Sequence, residues 1–201
     1  MEAKITPHQT GNIQANDWIP AKSFYSCKNG ICTSCLAKHE DRKQLVLPLS
    51  KLKEPDFKID LGNFLKSLAK FDRPVLFYHR DYPIIEQALI KFTGHENFEN
   101  SFKIVRPFLP KTTIPATIIS PYALSKNNRL KEQKLVSLTK RFFEPLGFIK
   151  LHLHSVADYH EYAESEKVGL LMLPLKDLPD YVQYAMHSKD IKDVIPAIFQ
   201  P

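Results

Sequence analysis

Residues 56–201 predict an α/β domain, a mainly parallel sheet with flanking helices, and residues 1–50 an extended arm with a cysteine loop and hairpin. Three observations carry this. Short apolar runs bounded by charge or proline alternate with segments of helical spacing. The apolar runs are continuous rather than alternating, as in strands buried on both faces. All three cysteines fall within nine residues, Cys27 to Cys35, ahead of a Pro-, Lys- and Glu-rich stretch over 48–60 that reads as a linker.

The elements follow in order. Residues 1–22 are polar and weakly patterned, an arm whose docking point is Trp18 with Ile19-Pro20. After the linker, Leu61, Phe64, Leu65 and Leu68 mark one apolar face of a short helix. Pro74 to His79 is an apolar run and reads as a buried strand. Pro83 suits the first turn of a helix, with Ile84, Ile85, Ala88, Leu89 and Phe92 on its buried face and Gly94 closing it. Phe102 to Val105 reads as a strand, 107–115 as a proline-rich loop and Ala116 to Ile119 as a strand. Asn127 or Asn128 caps a helix reaching Phe143, with Leu135, Leu138 and Phe142 facing inward. Strands over 148–154 and 168–173 flank a helix over 158–167, and a last helical region spans 179–199. Strands alternating with helices imply parallel pairing.

The chain has 201 residues, enough to bury a core, and ordinary hydrophobic content. No run of 18 apolar residues offers a membrane span, and Met1-Glu2-Ala3-Lys4 leads into no signal-peptide core. An odd, clustered cysteine set argues against a disulfide scaffold and for a cytoplasmic, reducing compartment. The net charge of +6 is spread along the chain. Its densest group, Lys126, Arg129, Lys131, Lys134, Lys140 and Arg141, reads as the wet face of one helix, and no nucleic-acid-binding signature accompanies it.

The cysteine loop is the sharpest chemical signal. Cys27, Cys32 and Cys35 are spaced C-x4-C-x2-C around Gly30, the spacing of plant-type [2Fe–2S] ligand loops. Gly30 lets the backbone curl against a cluster, and Lys28 and Lys38 offset thiolate charge. Residues 23–47, through Ser26-Cys27-Lys28-Asn29-Gly30-Ile31-Cys32-Thr33-Ser34-Cys35, resemble the ferredoxin-type loop in the iron–sulfur subunit of succinate dehydrogenases and fumarate reductases. That resemblance implies a ferredoxin-like, degenerate β-grasp unit, with a hairpin turning at Glu40-Asp41 and returning through Leu45-Val46. It further implies a [2Fe–2S] cofactor and a redox or assembly partner protein. Leu47 stands where the family has its fourth cysteine. His39, giving C-x4-C-x2-C-x3-H, or a ligand from a partner chain can replace it; zinc on Cys27, Cys32, Cys35 and His39, a redox dithiol at Cys32 and Cys35, and three reduced thiols without metal stay open.

The α/β unit has its own candidates. Ligands bind at the carboxyl ends of parallel strands. These are His79, Arg80, Asp81 and Tyr82; Ser120, Pro121 and Tyr122; Ser155 and Asp158; and Lys176 and Asp177. His152 and His154 share one strand face and, with His160 and Glu161, form a metal candidate, although an H-x-H on a strand with Leu151 and Leu153 inward is as readily its polar face. No GxGxxG, Walker or GxSxG motif is present. The expected function is an iron–sulfur-related electron-transfer or accessory protein. The alternatives are a binding module of unknown ligand, or an α/β enzyme working through His79, Arg80 and Asp81.

Overall fold

The computed structural model describes residues 45–53, 62, 65–66, 74–79, 86–94, 98–99, 101–102 and 113–201. Seven strands form one sheet: β1 (Leu45–Pro48), β2 (Val75–Tyr78), β3 (Ala88–Lys91), β4 (Ile114–Ser120), β5 (Phe143–Lys150), β6 (Leu170–Pro174) and β7 (Ala197–Gln200). Helices α1 (Lys126–Thr139), α2 (Val156–Ser165) and α3 (Leu178–His187) connect β4 to β5, β5 to β6 and β6 to β7. The strand order is β1-β2-β7-β6-β3-β4-β5. All neighbours pair parallel except β2 and β7. The mainly parallel α/β sheet with flanking helices is thus the architecture of the described chain.

The central strands are apolar throughout because both their faces are covered. Leu89, Ile119, Leu171 and Leu173 pack with Val156, Tyr159 and Ala163 of α2 and Leu178, Tyr181, Val182 and Ala185 of α3. On the other face Ala88, Ile90, Ala116, Ile118, Leu170 and Met172 pack with Phe98, Phe102 and Leu135 of α1. The helix ends follow the chain's polar residues. Ser125 caps α1, its hydroxyl accepting from Asn128 N at 3.2 Å. Ser155 and Asp158 form a capping box at α2.

Several expectations are corrected. Ala88–Lys91 is a strand, not the buried face of a helix; four fully covered positions in a row suit a central parallel strand. Ser101 and Phe102 are helical rather than the start of a strand, and Phe102 N bonds Phe98 O at 2.9 Å. The strand expected over 148–154 runs from Phe143 to Lys150. The helical region expected over 179–199 stops at His187, and Ala197–Gln200 is a central strand. Leu49 and Leu52, read as linker, are buried in a 3-10 turn spanning Leu49–Lys53.

The hairpin return is corrected as well. Leu45–Pro48 pairs parallel with Val75–Tyr78, and Leu47, at the expected place of a fourth cluster ligand, is buried in the sheet's core. Cys27, Cys32, Cys35 and His39 lie outside the described residues, as do Arg80, Asp81 and Tyr82. Among the described residues no helix is long and apolar enough to cross a membrane.

Candidate functional site at the reversal of winding

From β3 the chain steps to its neighbour β4 and on to β5 at the edge, with α1 on one face. It then returns past β3 to β6 and steps on to β7, with α2 and α3 on the opposite face. The winding reverses between β3 and β6. Such a reversal, outside the carboxyl ends of the two strands, is where open α/β sheets have their ligand crevice.

Both lips of that crevice carry charge. Lys91 ends β3 on the face of α2 and α3, and Asp177 ends the 3-10 turn Leu175–Asp177 that follows β6. Lys91 Nζ lies 2.8 Å from Asp177 Oδ2, with both side chains about nine-tenths covered. The ammonium also sits 4.4 Å from the centre of the Tyr159 ring on α2. The neighbouring lysine returns the contact: Lys176 Nζ donates to Thr93 Oγ1 at 3.1 Å. Each lip therefore sends one lysine to the other. Removing one partner of the inner pair leaves a buried charge, so the pair is costly to break.

The loop after β3 is fixed on its far side. Phe92 N donates to Ile119 O at 2.9 Å, which carries the β3–β4 ladder one residue further. Gly94 has φ +110, and a Cβ there would overlap the Asn128 side chain in the first turn of α1. That turn holds no acid, and Lys126 and Arg129 lie exposed in it.

Ser120, a candidate from sequence, is buried at the end of β4. Its hydroxyl donates to Glu132 Oε1 on α1. Lys150 Nζ, at the end of β5, reaches Glu132 Oε1 at 2.5 Å, Ser120 Oγ at 3.2 Å and Pro121 O at 3.2 Å. This network ties α1 to two strand ends, and the covered hydroxyl is a poor nucleophile. His79 is placed elsewhere. β2 runs against β7, so His79 leaves the opposite end of the strands, where Nε2 contacts Val194 O at 2.8 Å.

Asp158 Oδ2 accepts from Ser155 N and His154 N, both at 2.9 Å, and these backbone bonds hold its carboxyl below the ordinary range. The His152 and His154 rings meet edge to face at 4.5 Å and are exposed, with Leu151 and Leu153 half-buried behind them. Neither His160 nor Glu161 joins them: among the described residues no three His, Cys, Asp or Glu side chains are grouped to hold a metal ion. A cleft of about 420 Å³ lies between α2 and α3, bordered by Val156, Asp180, Tyr184 and His187. Lys91 and Asp177 are not among its walls; the crossed charged contacts lie at the strand ends.

Sequence reasoning brought out Lys176, Asp177 and Ser120 and missed Lys91, Thr93, Glu132 and Lys150. The available signal for Lys91 was one lysine closing the apolar run Ala88-Leu89-Ile90, obscured by reading that run as a helix.

No family model matches the chain, and no curated relative does. Among solved structures it is similar to a universal stress protein from Archaeoglobus fulgidus, at 13% identity and a TM-score of 0.48. The similarity covers 83% of this chain and 63% of that one, so the chain spans less than two thirds of that structure. The resemblance to the iron–sulfur subunit of succinate dehydrogenases is corrected here, and the electron-transfer reading with it. No ferredoxin model matches, and the last part of the resembling segment is a strand of the α/β sheet, with Leu47 in its core.

Proposed function

We propose that this chain is an α/β binding module that takes a small anionic molecule at the crevice between the carboxyl ends of β3 and β6. The observation that carries this reading is the coincidence of the winding reversal with the crossed lysines, Lys91 on Asp177 and Lys176 on Thr93. An anion gains most from Lys176. Its present partner is a neutral hydroxyl, and exchanging that for a charged acceptor strengthens the bond. Lys91 and Asp177 form a neutral buried pair beneath Lys176 that ties the two strand ends together, so the net positive charge offered to an anion is that of Lys176. The acid-free first turn of α1, with Lys126 and Arg129, adds positive potential beyond the β3 loop.

The residues at the crevice support binding more than catalysis. A nucleophile needs an accessible hydroxyl or thiol beside a base, and Ser120 is covered. The clustered, odd cysteines fit a reducing compartment for the module.

Calorimetric titration with inorganic phosphate and pyrophosphate tests the reading. Wild-type protein binds one of them saturably, and Lys176→Ala weakens that binding about tenfold, the loss of one charge-assisted contact. Lys91→Met with Asp177→Leu, which removes the buried pair together, weakens it further while circular dichroism stays unchanged. Absence of saturable binding to either anion, or equal binding by Lys176→Ala, overturns the proposal.

A further inference from the structure

The longest strand of the sheet lies at its edge. β5 has eight residues, and no described strand pairs with its outer side. Phe148 is 41% exposed and Ile149 36%, and since successive side chains point to opposite faces, each face of the strand shows an exposed apolar side chain. The other large apolar side chains most exposed among the described residues are close in sequence and topology: Tyr122 in the loop after β4, and Leu130 on α1, the crossover into β5.

The backbone polar groups of the edge can be assigned. Leu151 N donates to Ser120 O at 3.1 Å, so alternation puts the Ile149 and Gly147 amides toward β4. Those of Leu146, Phe148 and Lys150 point away from the sheet. An unpaired apolar edge of this length is a template for another strand unless charge, proline or a bulge blunts it. Here the blunting devices sit at the ends. Pro145 lies in the irregular stretch of the β4–β5 register, and Lys150 is the last residue. Between them Leu146-Gly147-Phe148-Ile149 carries no charge.

We propose that β5 is an assembly edge, and that its occupant is β5 of a second copy, paired antiparallel about a two-fold axis at Gly147. The sequence is self-complementary in that register. Leu146 of each copy faces Phe148 of the other, so every inner pair is apolar. Glu144 of each copy comes to the end of the strand where the other copy has Lys150. Lys150 Nζ stands over the Phe148 ring at 5.1 Å and already holds Glu132, so a second carboxylate completes a charge network rather than meeting a bare cation. The pairing joins two seven-stranded sheets into one and covers the exposed rings.

Sedimentation equilibrium of the full chain across the micromolar range, with hydrogen exchange at the two concentration extremes, tests this. The wild-type mass rises toward twice 23.2 kDa. The amides of Leu146, Phe148 and Lys150 gain protection with concentration, while that of Ile149, already bonded to β4, does not. The symmetry places each changed side chain in the interface twice, so Phe148→Lys raises the dimer Kd by about 100-fold. Glu144→Arg raises it about tenfold. Both sites are exposed, and unchanged circular dichroism shows that the variants fold. A monomer throughout overturns the proposal. So does a dimer indifferent to both substitutions, with the three outward amides unprotected.

Discussion

His160 shows how much a single residue can cost when its polar atoms go unmatched. It lies on α2 facing α3, fully buried, with its ring against Tyr184 at 4.2 Å and Tyr181 at 6.0 Å. Neither ring nitrogen has a hydrogen-bond partner. Burial pushes its pKa down to about 4 from the ordinary 6.5. The sign follows directly. The unfolded chain takes up the proton near 6.5 and the folded chain only near 4, so stability is fully present above about 6.5 and falls as pH falls through that window. At pH 4.5 the loss relative to pH 7.5 is of order 2–3 kcal/mol from this residue. His160→Phe keeps the aromatic packing and removes the orphaned nitrogens. Urea denaturation at the two pH values is expected to show that difference shrink by about the same amount in the variant. The sequence showed His160 beside Glu161 and two further histidines, which invited a metal reading. Burial against two tyrosine rings, which makes it a packing residue, depends on how α3 crosses α2 and is not encoded locally.

Individual elements differ in how far their own residues define them. α1 was legible in its spacing, with Leu135 and Leu138 set against a wet face of Lys126, Arg129, Lys131 and Lys134, but its cap is Ser125 rather than Asn127 or Asn128, and it ends at Thr139, short of Phe143, which begins β5. β6 was legible as an unbroken apolar run. β3 was not: Ala88, Leu89 and Phe92 also fit a helical face, and only the covering of both sides by α1 and α2 decides for a strand. β7 was hidden in the same way, since Ala197-Ile198-Phe199 is short and follows a helical stretch. Missing β3 meant missing Lys91, and with it half of the crevice. The β3 loop supplies a prediction at this scale. Gly94→Ala adds a Cβ at φ +110 and forces it into Asn128, so both backbone strain and a displaced first turn of α1 follow. Stability should fall by about 1–3 kcal/mol in thermal or urea unfolding. Asn128→Gly in the Gly94→Ala background relieves the overlap but leaves the strain, so only part of the loss returns. A double-mutant cycle with no recovery would place the cost wholly in the backbone.

At the scale of the whole molecule the junction between β2 and β7 decides whether the first two strands are an appendage or part of one folding unit. Among the described strands it is the single antiparallel seam, and β1 and β2 run against the five strands beyond it. Its packing nevertheless crosses freely. Phe77 of β2 meets Phe199 of β7 edge to face at 6.0 Å and Tyr181 of α3 at 5.7 Å, and Tyr181 meets Phe199 at 5.1 Å. Tyr181 also donates its hydroxyl to Ile195 O at 2.8 Å. Leu47, Leu49 and Leu52 share that core, and Lys53 Nζ donates to the Met186 and Ser188 carbonyls at the end of α3, at 2.8 and 2.5 Å. Those contacts make α3 common to both sides of the seam. Phe77→Ala should therefore lower the stability of the entire sheet by about 3–5 kcal/mol. Phe199→Ala, across the seam, should cost a similar amount, and each variant should still unfold in one transition. Because the two rings touch, the double variant should lose less than the sum of the singles. A separate early transition in Phe77→Ala, with the main melt unmoved, would show that β1 and β2 fold apart from the five parallel strands. Tryptophan-independent probes such as far-ultraviolet dichroism read both sides of the seam at once and so distinguish the two behaviours.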